Sequence, residues 1–136
     1  MIYSGGAGED ISFDVELAKL YGCSIHIFDP TPRAISYSVK TVNELGFSNL
    51  IRIYDFGLSE QDGEYQFWGP NNPANVSHSL IYGLKVQEGF TATCRKLSTV
   101  MAGLKHDHID LLKLDVEGAE YGIIRDIYKN KLNMWM

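Results

Sequence analysis

The feature that most constrains this chain is an alternation of short β-type runs with helical runs, in which each β-type run ends on glycine or an acid. "MIYSGGAGED" sets an apolar start against a glycine-rich turn, and "CSIHIF" runs into Asp29. "NLIRIYDF" meets Asp55, and "IDLLKLD" ends on Asp115. Between the runs lie segments of helical character. "DISFDVELAKLYG" is locally ambiguous, because Ile11, Phe13, Val15 and Leu17 alternate as in a strand. Its length, its Ala18-Lys19-Leu20 run and the terminating Gly22 decide for helix, with Phe13, Leu17, Leu20 and Tyr21 as the apolar face. "TPRAISYSVKTVNELG" predicts a second helix, with Thr31 as N-cap, Pro32 in the first turn, Ile35, Val39, Val42 and Leu45 on one face, and Gly46 as the stop.

After the third β-type run, "GLSEQDGEYQFW" predicts a hairpin turning at Asp62-Gly63. Residues 69–83 read as a Pro-, Asn- and Ser-rich loop. A strand "FTATCRKL", a short helix "STVMAGLKH", the strand "IDLLKLD" and a helix starting near Glu117 complete the chain. The order β-α-β-α-β, insert, β-α predicts an α/β fold: a Rossmann-like, doubly wound, mostly parallel sheet in a three-layer α/β/α arrangement. With 136 residues, it reads as one domain.

Composition narrows the partners. A net charge of −5 gives no basic surface for a nucleic-acid backbone. No apolar run approaches the roughly 20 residues that span a bilayer, and no secretory signal is visible. Cys23 and Cys94 have neither metal-ligand spacing nor a disulfide framework, so a reducing, cytoplasmic setting is expected. His106-Asp107-His108 reads as the polar C-terminus of a helix, and no metal site is expected there.

Parallel strands present their carboxyl ends along one edge of a sheet, where ligands bind. Gly5, Gly6, Asp29, Asp55 and Asp115 converge there, with Glu117 and Glu120 close behind Asp115. Gly6-Ala7-Gly8 allows close backbone approach to a ligand. Asp29, at the end of the second strand, is where an acid accepts hydrogen bonds from ribose hydroxyls. A dinucleotide G-x-G-x-x-G is absent, since Ile11 occupies the third glycine position. That disfavours an NAD-type oxidoreductase, and the absence of a G-x-S-x-G elbow leaves a serine hydrolase unsupported.

"YSGGAGEDISFD", "IHIFDPTPRAI", "GLSEQDGEYQFW", "VSHSL" and "IDLLKLDVEGAEY" occur in that order, and together they resemble the FkbM family of S-adenosylmethionine-dependent methyltransferases. The resemblance runs from residue 3 to about residue 127 and is most specific in "LKLDVEGAE". It implies a class I methyltransferase fold, S-adenosyl-L-methionine as cofactor, and O-methylation of a hydroxyl on a small molecule or glycan-like acceptor. By position, Ser4, Gly5, Gly6, Gly8 and Asp10 match the turn around the amino-acid half of the cofactor. Asp29 matches the ribose acid, and Asp55 and Phe56 the adenine region. Asp115, Glu117 and His78, in that order, are the candidates for the catalytic base. The sequence departs from the pattern at Ser4, where an acid is common, and at Asp10, which replaces a glycine. A complete class I domain continues with three more strands, so residues 1–136 are expected to be a partial domain, truncated after the fourth core strand and its helix. The fourth strand would then be an edge that self-association or a covering partner protects. The competing expectation is an inactive remnant that works by cofactor binding or association alone.

Overall fold

The computed structural model describes residues 1–68 and 89–134. Its frame is a four-stranded parallel sheet in the order β3-β2-β1-β7, built from β1 (Ile2–Gly5), β2 (Ile25–Phe28), β3 (Ile51–Tyr54) and β7 (Leu111–Leu114). The register is continuous: Ser4 lies opposite Ile27 on one side and Lys113 on the other. β1 and β2 are buried at every position, as expected of parallel strands covered on both faces.

Helices α1 (Ser12–Tyr21) and α2 (Pro32–Leu45) cover one face through Ile11, Val15, Ala18 and Val42, which pack on Ile2, Ile25, Ile27 and Ile51. Helices α3 (Leu97–Leu104) and α4 (Glu120–Asn130) cover the other through Leu97, Val100, Met101 and Ile123, packed on Tyr3 and Phe28. The expected three layers are present. The two apolar helix faces agree with expectation at Leu17 and Val42, which pack on the sheet, and differ elsewhere. In α1 the sheet takes Asp14, Val15 and Ala18, while Phe13, Leu20 and Tyr21 are exposed. In α2 it takes Ala34, Ser38 and Val42, and leaves Val39 and Leu45 exposed.

Residues 57–68 do not form a hairpin. β4 (Gly57–Leu58) and β5 (Gly63–Trp68) flank a third strand, β6 (Gly89–Arg95), in a separate sheet of order β4-β6-β5. β4 runs parallel to β6 and β5 antiparallel to it. Asp62 is not a free turn residue. Its carboxylate accepts the Lys96 N–H and the Thr99 hydroxyl, both at 2.8 Å, and so ties the connection to the start of α3. The last helix begins at Glu120 rather than near Glu117, because Glu117 (φ 50°) and Gly118 (φ 106°) adopt left-handed backbone. The Glu120 carboxylate accepts the Val116 and Gly118 N–H groups and braces that turn. Beyond α4 the chain comes back beside the sheet, and Met134 forms a parallel bridge with Ile109. Otherwise the outer side of β7 is unpaired among the described residues. No helix among them is long and apolar enough to cross a membrane.

Candidate active site

The carboxyl ends of β1, β2 and β7 open onto one cleft. The cleft is partly open to solvent. Gly6, Ala7 and Gly8 form its floor, Asp29, Pro30 and Thr31 one wall, and Asp115, Val116 and Glu117 the wall opposite. Phe28 and, from the second sheet, Gly57, Leu58 and Phe67 supply an apolar side.

The glycine turn is fixed by close approach. Gly6 has φ 85°, and a Cβ placed on it would lie 2.8 Å from the Asp115 carbonyl carbon and closer still to its oxygen. The main chains leaving β1 and β7 touch here, and Asp115 N–H donates to the Gly5 carbonyl at 2.8 Å. Asp29 is buried and organises the other side. Its Oδ2 accepts Ala7 N–H at 2.7 Å and Gly8 N–H at 3.2 Å, and its Oδ1 accepts Thr31 N–H at 2.8 Å. A carboxylate offers about four acceptor positions, so among the described residues one on Oδ1 stays open. The same contacts occupy the turn amides that a dinucleotide site would turn toward a pyrophosphate. Thr31 is the N-cap residue of α2, yet its side chain makes no cap bond; Asp29 holds its amide instead.

Among the residues expected to form the site, Gly6, Gly8, Asp29, Asp115 and Glu117 line this cleft. Asp115 and Glu117 are exposed at its mouth, and the Asp115 carboxylate has no hydrogen-bond partner among the described residues. Ser4 lies beneath, buried under α1, and Gly5 packs against Leu58, Leu114 and Val116. Asp10 is exposed, and its Oδ1 accepts Ser12 N–H at 2.9 Å at the start of α1. The Ser12 hydrogen bonds hold the Asp10 carboxyl below its usual range. Asp55 is exposed outside the cleft. Phe56 lies in a neighbouring groove with Tyr54, Thr99 and Val100, under the Arg95 guanidinium at 5.3 Å. His78 is outside the described residues, as is the loop at 69–83. His106 is bonded to the Tyr3 hydroxyl and His108 to Asp107, at 2.6 and 2.7 Å.

Sequence reasoning missed the second sheet's share of the cleft. Phe67, stacked on Phe90 with ring centroids 5.2 Å apart, reads along the chain as one more alternating strand residue. Only the pairing of β5 with β6 carries it to the strand ends.

Three comparisons bear on this geometry. The family model of the Methyltransferase FkbM domain matches residues 5–135. The probable methyltransferase-like protein 24 of Rattus norvegicus is 29% identical over 127 residues, 93% of this chain and 28% of that protein. The crystal structure of methyltransferase FkbM from Methylobacillus flagellatus KT aligns with a TM-score of 0.59 at 14% identity, covering 98% of this chain and 31% of that one; at that identity the likeness speaks for the fold. The chain thus spans less than a third of either relative. A glycine turn, a buried acid after β2 and an acidic turn after β7, within a sequence matched almost end to end, place this chain in the FkbM methyltransferase domain family.

Proposed function

We propose that the cleft binds S-adenosyl-L-methionine and that the chain is the cofactor-binding part of a methyltransferase acting on a hydroxyl of a small-molecule or glycan-like acceptor. The observation that carries this reading is the charge of the cleft. Its lining contains the carboxylates of Asp29, Asp115 and Glu117 and, among the described residues, no Lys, Arg or His. Such a cleft favours a nucleoside bearing a sulfonium and disfavours a pyrophosphate, whose amide donors are in any case taken by Asp29.

The residues present fit the cofactor. The open position on Asp29 Oδ1 accepts a ribose hydroxyl, and Phe28, Pro30, Leu58 and Phe67 provide an apolar surface for the base. When bound, the cofactor supplies an activated methyl group. The protein's part is geometry and proton management. Fixing the reacting groups in line contributes up to about 7–11 kcal/mol in favourable cases. In this reading Asp115, exposed and without a hydrogen-bond partner among the described residues, takes the proton of an acceptor hydroxyl, a role worth about 10²–10⁴-fold. Glu117 stands beside it as the second carboxylate of that wall.

Calorimetric titration with S-adenosylhomocysteine, run beside NAD and with Asp29→Ala, tests the reading. Binding that prefers the homocysteine compound and is lost in a folded Asp29→Ala chain is expected. A folded wild-type chain that binds neither compound contradicts it and leaves the remnant reading in its place.

A further inference from the structure

Lys113 sits on β7 between Leu112 and Leu114, half-buried on the face that α1 covers. Its Cα is in register with Ser4, and its Nζ reaches past that row to donate to the Gly6 carbonyl at 3.0 Å. The other end of the same peptide unit, Ala7 N–H, donates to Asp29 Oδ2 at 2.7 Å. One peptide plane is therefore gripped by a cation beneath the turn and an anion on the cleft side. Hydrogen bonds to ionised partners are the stronger kind, and two at opposite ends of one amide oppose a flip that would turn the carbonyl into the cleft. The Asp115 carbonyl, packed against the Gly6 Cα, blocks a third direction. Asp14, on the face of α1 turned to the sheet, is 1% exposed and neither of its carboxylate oxygens has a hydrogen-bond partner among the described residues. Burial pushes its carboxyl above the usual range, the Ser4 hydroxyl and the Lys113 charge offsetting only part of that rise.

We propose that Lys113 is a positioning residue of the cleft: it fixes the carbonyl end of the Gly6–Ala7 peptide, which keeps the Ala7 and Gly8 amides on Asp29 and so sets the direction in which Asp29 faces a ligand. The ligand side of this role rests on the cofactor reading above; the clamp itself exists in the ligand-free chain.

The test compares Lys113→Met, which keeps the stem and removes the donor, with Lys113→Arg, which restores one; Lys113→Leu replaces the methionine variant if that does not fold. Amide hydrogen exchange in the ligand-free chain is followed by NMR, together with S-adenosylhomocysteine affinity. In Lys113→Met, exchange at Ala7 and Gly8 is expected to rise about 10–100-fold, with Ile25 and Ile27 unchanged. Affinity falls about tenfold or more by the same reasoning, and arginine recovers both. Exchange that is unchanged at Ala7 and Gly8, or that rises uniformly along the sheet, overturns the clamp. Faster exchange with unchanged affinity overturns the positioning role. If the wild-type chain binds no S-adenosylhomocysteine, the cofactor reading falls, and the exchange result alone decides the clamp.

Discussion

Gly6→Ala tests the account of the turn at its tightest point. The substitution has two costs that a second glycine separates. At φ 85°, an alanine adopts left-handed backbone, worth about 1–2 kcal/mol. Its Cβ would also meet the Asp115 carbonyl well inside 3.0 Å, a contact with main chain that no rotamer change relieves. Overpacking of that kind adds about 1–3 kcal/mol, so the total is about 2–5 kcal/mol. Gly8 is the control, because it has φ 56° and nothing within 4 Å of an added Cβ; Gly8→Ala should lose only about 1–2 kcal/mol. Urea denaturation measures both. With m near 1.5 kcal/mol/M, midpoints fall by about 1–3 M for Gly6→Ala and about 1 M for Gly8→Ala. Equal shifts in the two variants would refute the claim that the ends of β1 and β7 are in backbone contact.

Two further perturbations follow from buried polar groups. Asp126, on α4, accepts Ser98 N–H and the Ser98 hydroxyl at 2.8 and 2.9 Å, capping α3 from outside, and also accepts from Asn130. Asp126→Ala leaves these donors unmatched and should cost about 2–4 kcal/mol in chemical denaturation, and a loss below about 0.5 kcal/mol refutes the cap. His26 is buried, with Nδ1 at 2.9 Å from the Tyr54 hydroxyl, and burial, then the neighbouring His106 and Arg52, depress it from 6.5 to about 4. The unfolded chain therefore takes up a proton below about pH 6.5 that the folded chain refuses until about pH 4, so stability drops as pH falls through that window. The His26 share is about 2 kcal/mol by pH 5, His106 acting in the same sense. His26→Gln should flatten the stability profile between pH 7 and 5 (about 2 kcal/mol less decline), and an unchanged profile refutes the assignment.

The βαβαβ frame was legible because its signals are local. Apolar runs mark β1, β2 and β3, and Gly22 and Gly46 stop α1 and α2 in left-handed backbone as read. The placement of Gly6, Asp29 and Asp115 at one edge followed from parallel pairing alone. What escaped depends on contacts distant in sequence. Asp62-Gly63 carries a hairpin signal, but β6 inserts between β4 and β5 and Asp62 is spent on Lys96 and Thr99. The faces of α1 and α2 were read correctly at Leu17 and Val42 but misread elsewhere, because hydropathy ranks Leu20 and Val39 above Ala18 and Ser38, and the sheet buries the second pair. Glu120 follows an acidic turn that looks helical, and only the left-handed Glu117 and Gly118 show that the helix has not begun.

The most direct test of the central claim is a titration of the isotope-labelled chain with S-adenosylhomocysteine, followed residue by residue in amide NMR spectra. The account predicts saturable shifts at Gly8, Thr31 and Val116, with Arg95 and Gly103 in the neighbouring groove unmoved. Shifts centred on that groove, or no saturable shift in a folded chain, would contradict it.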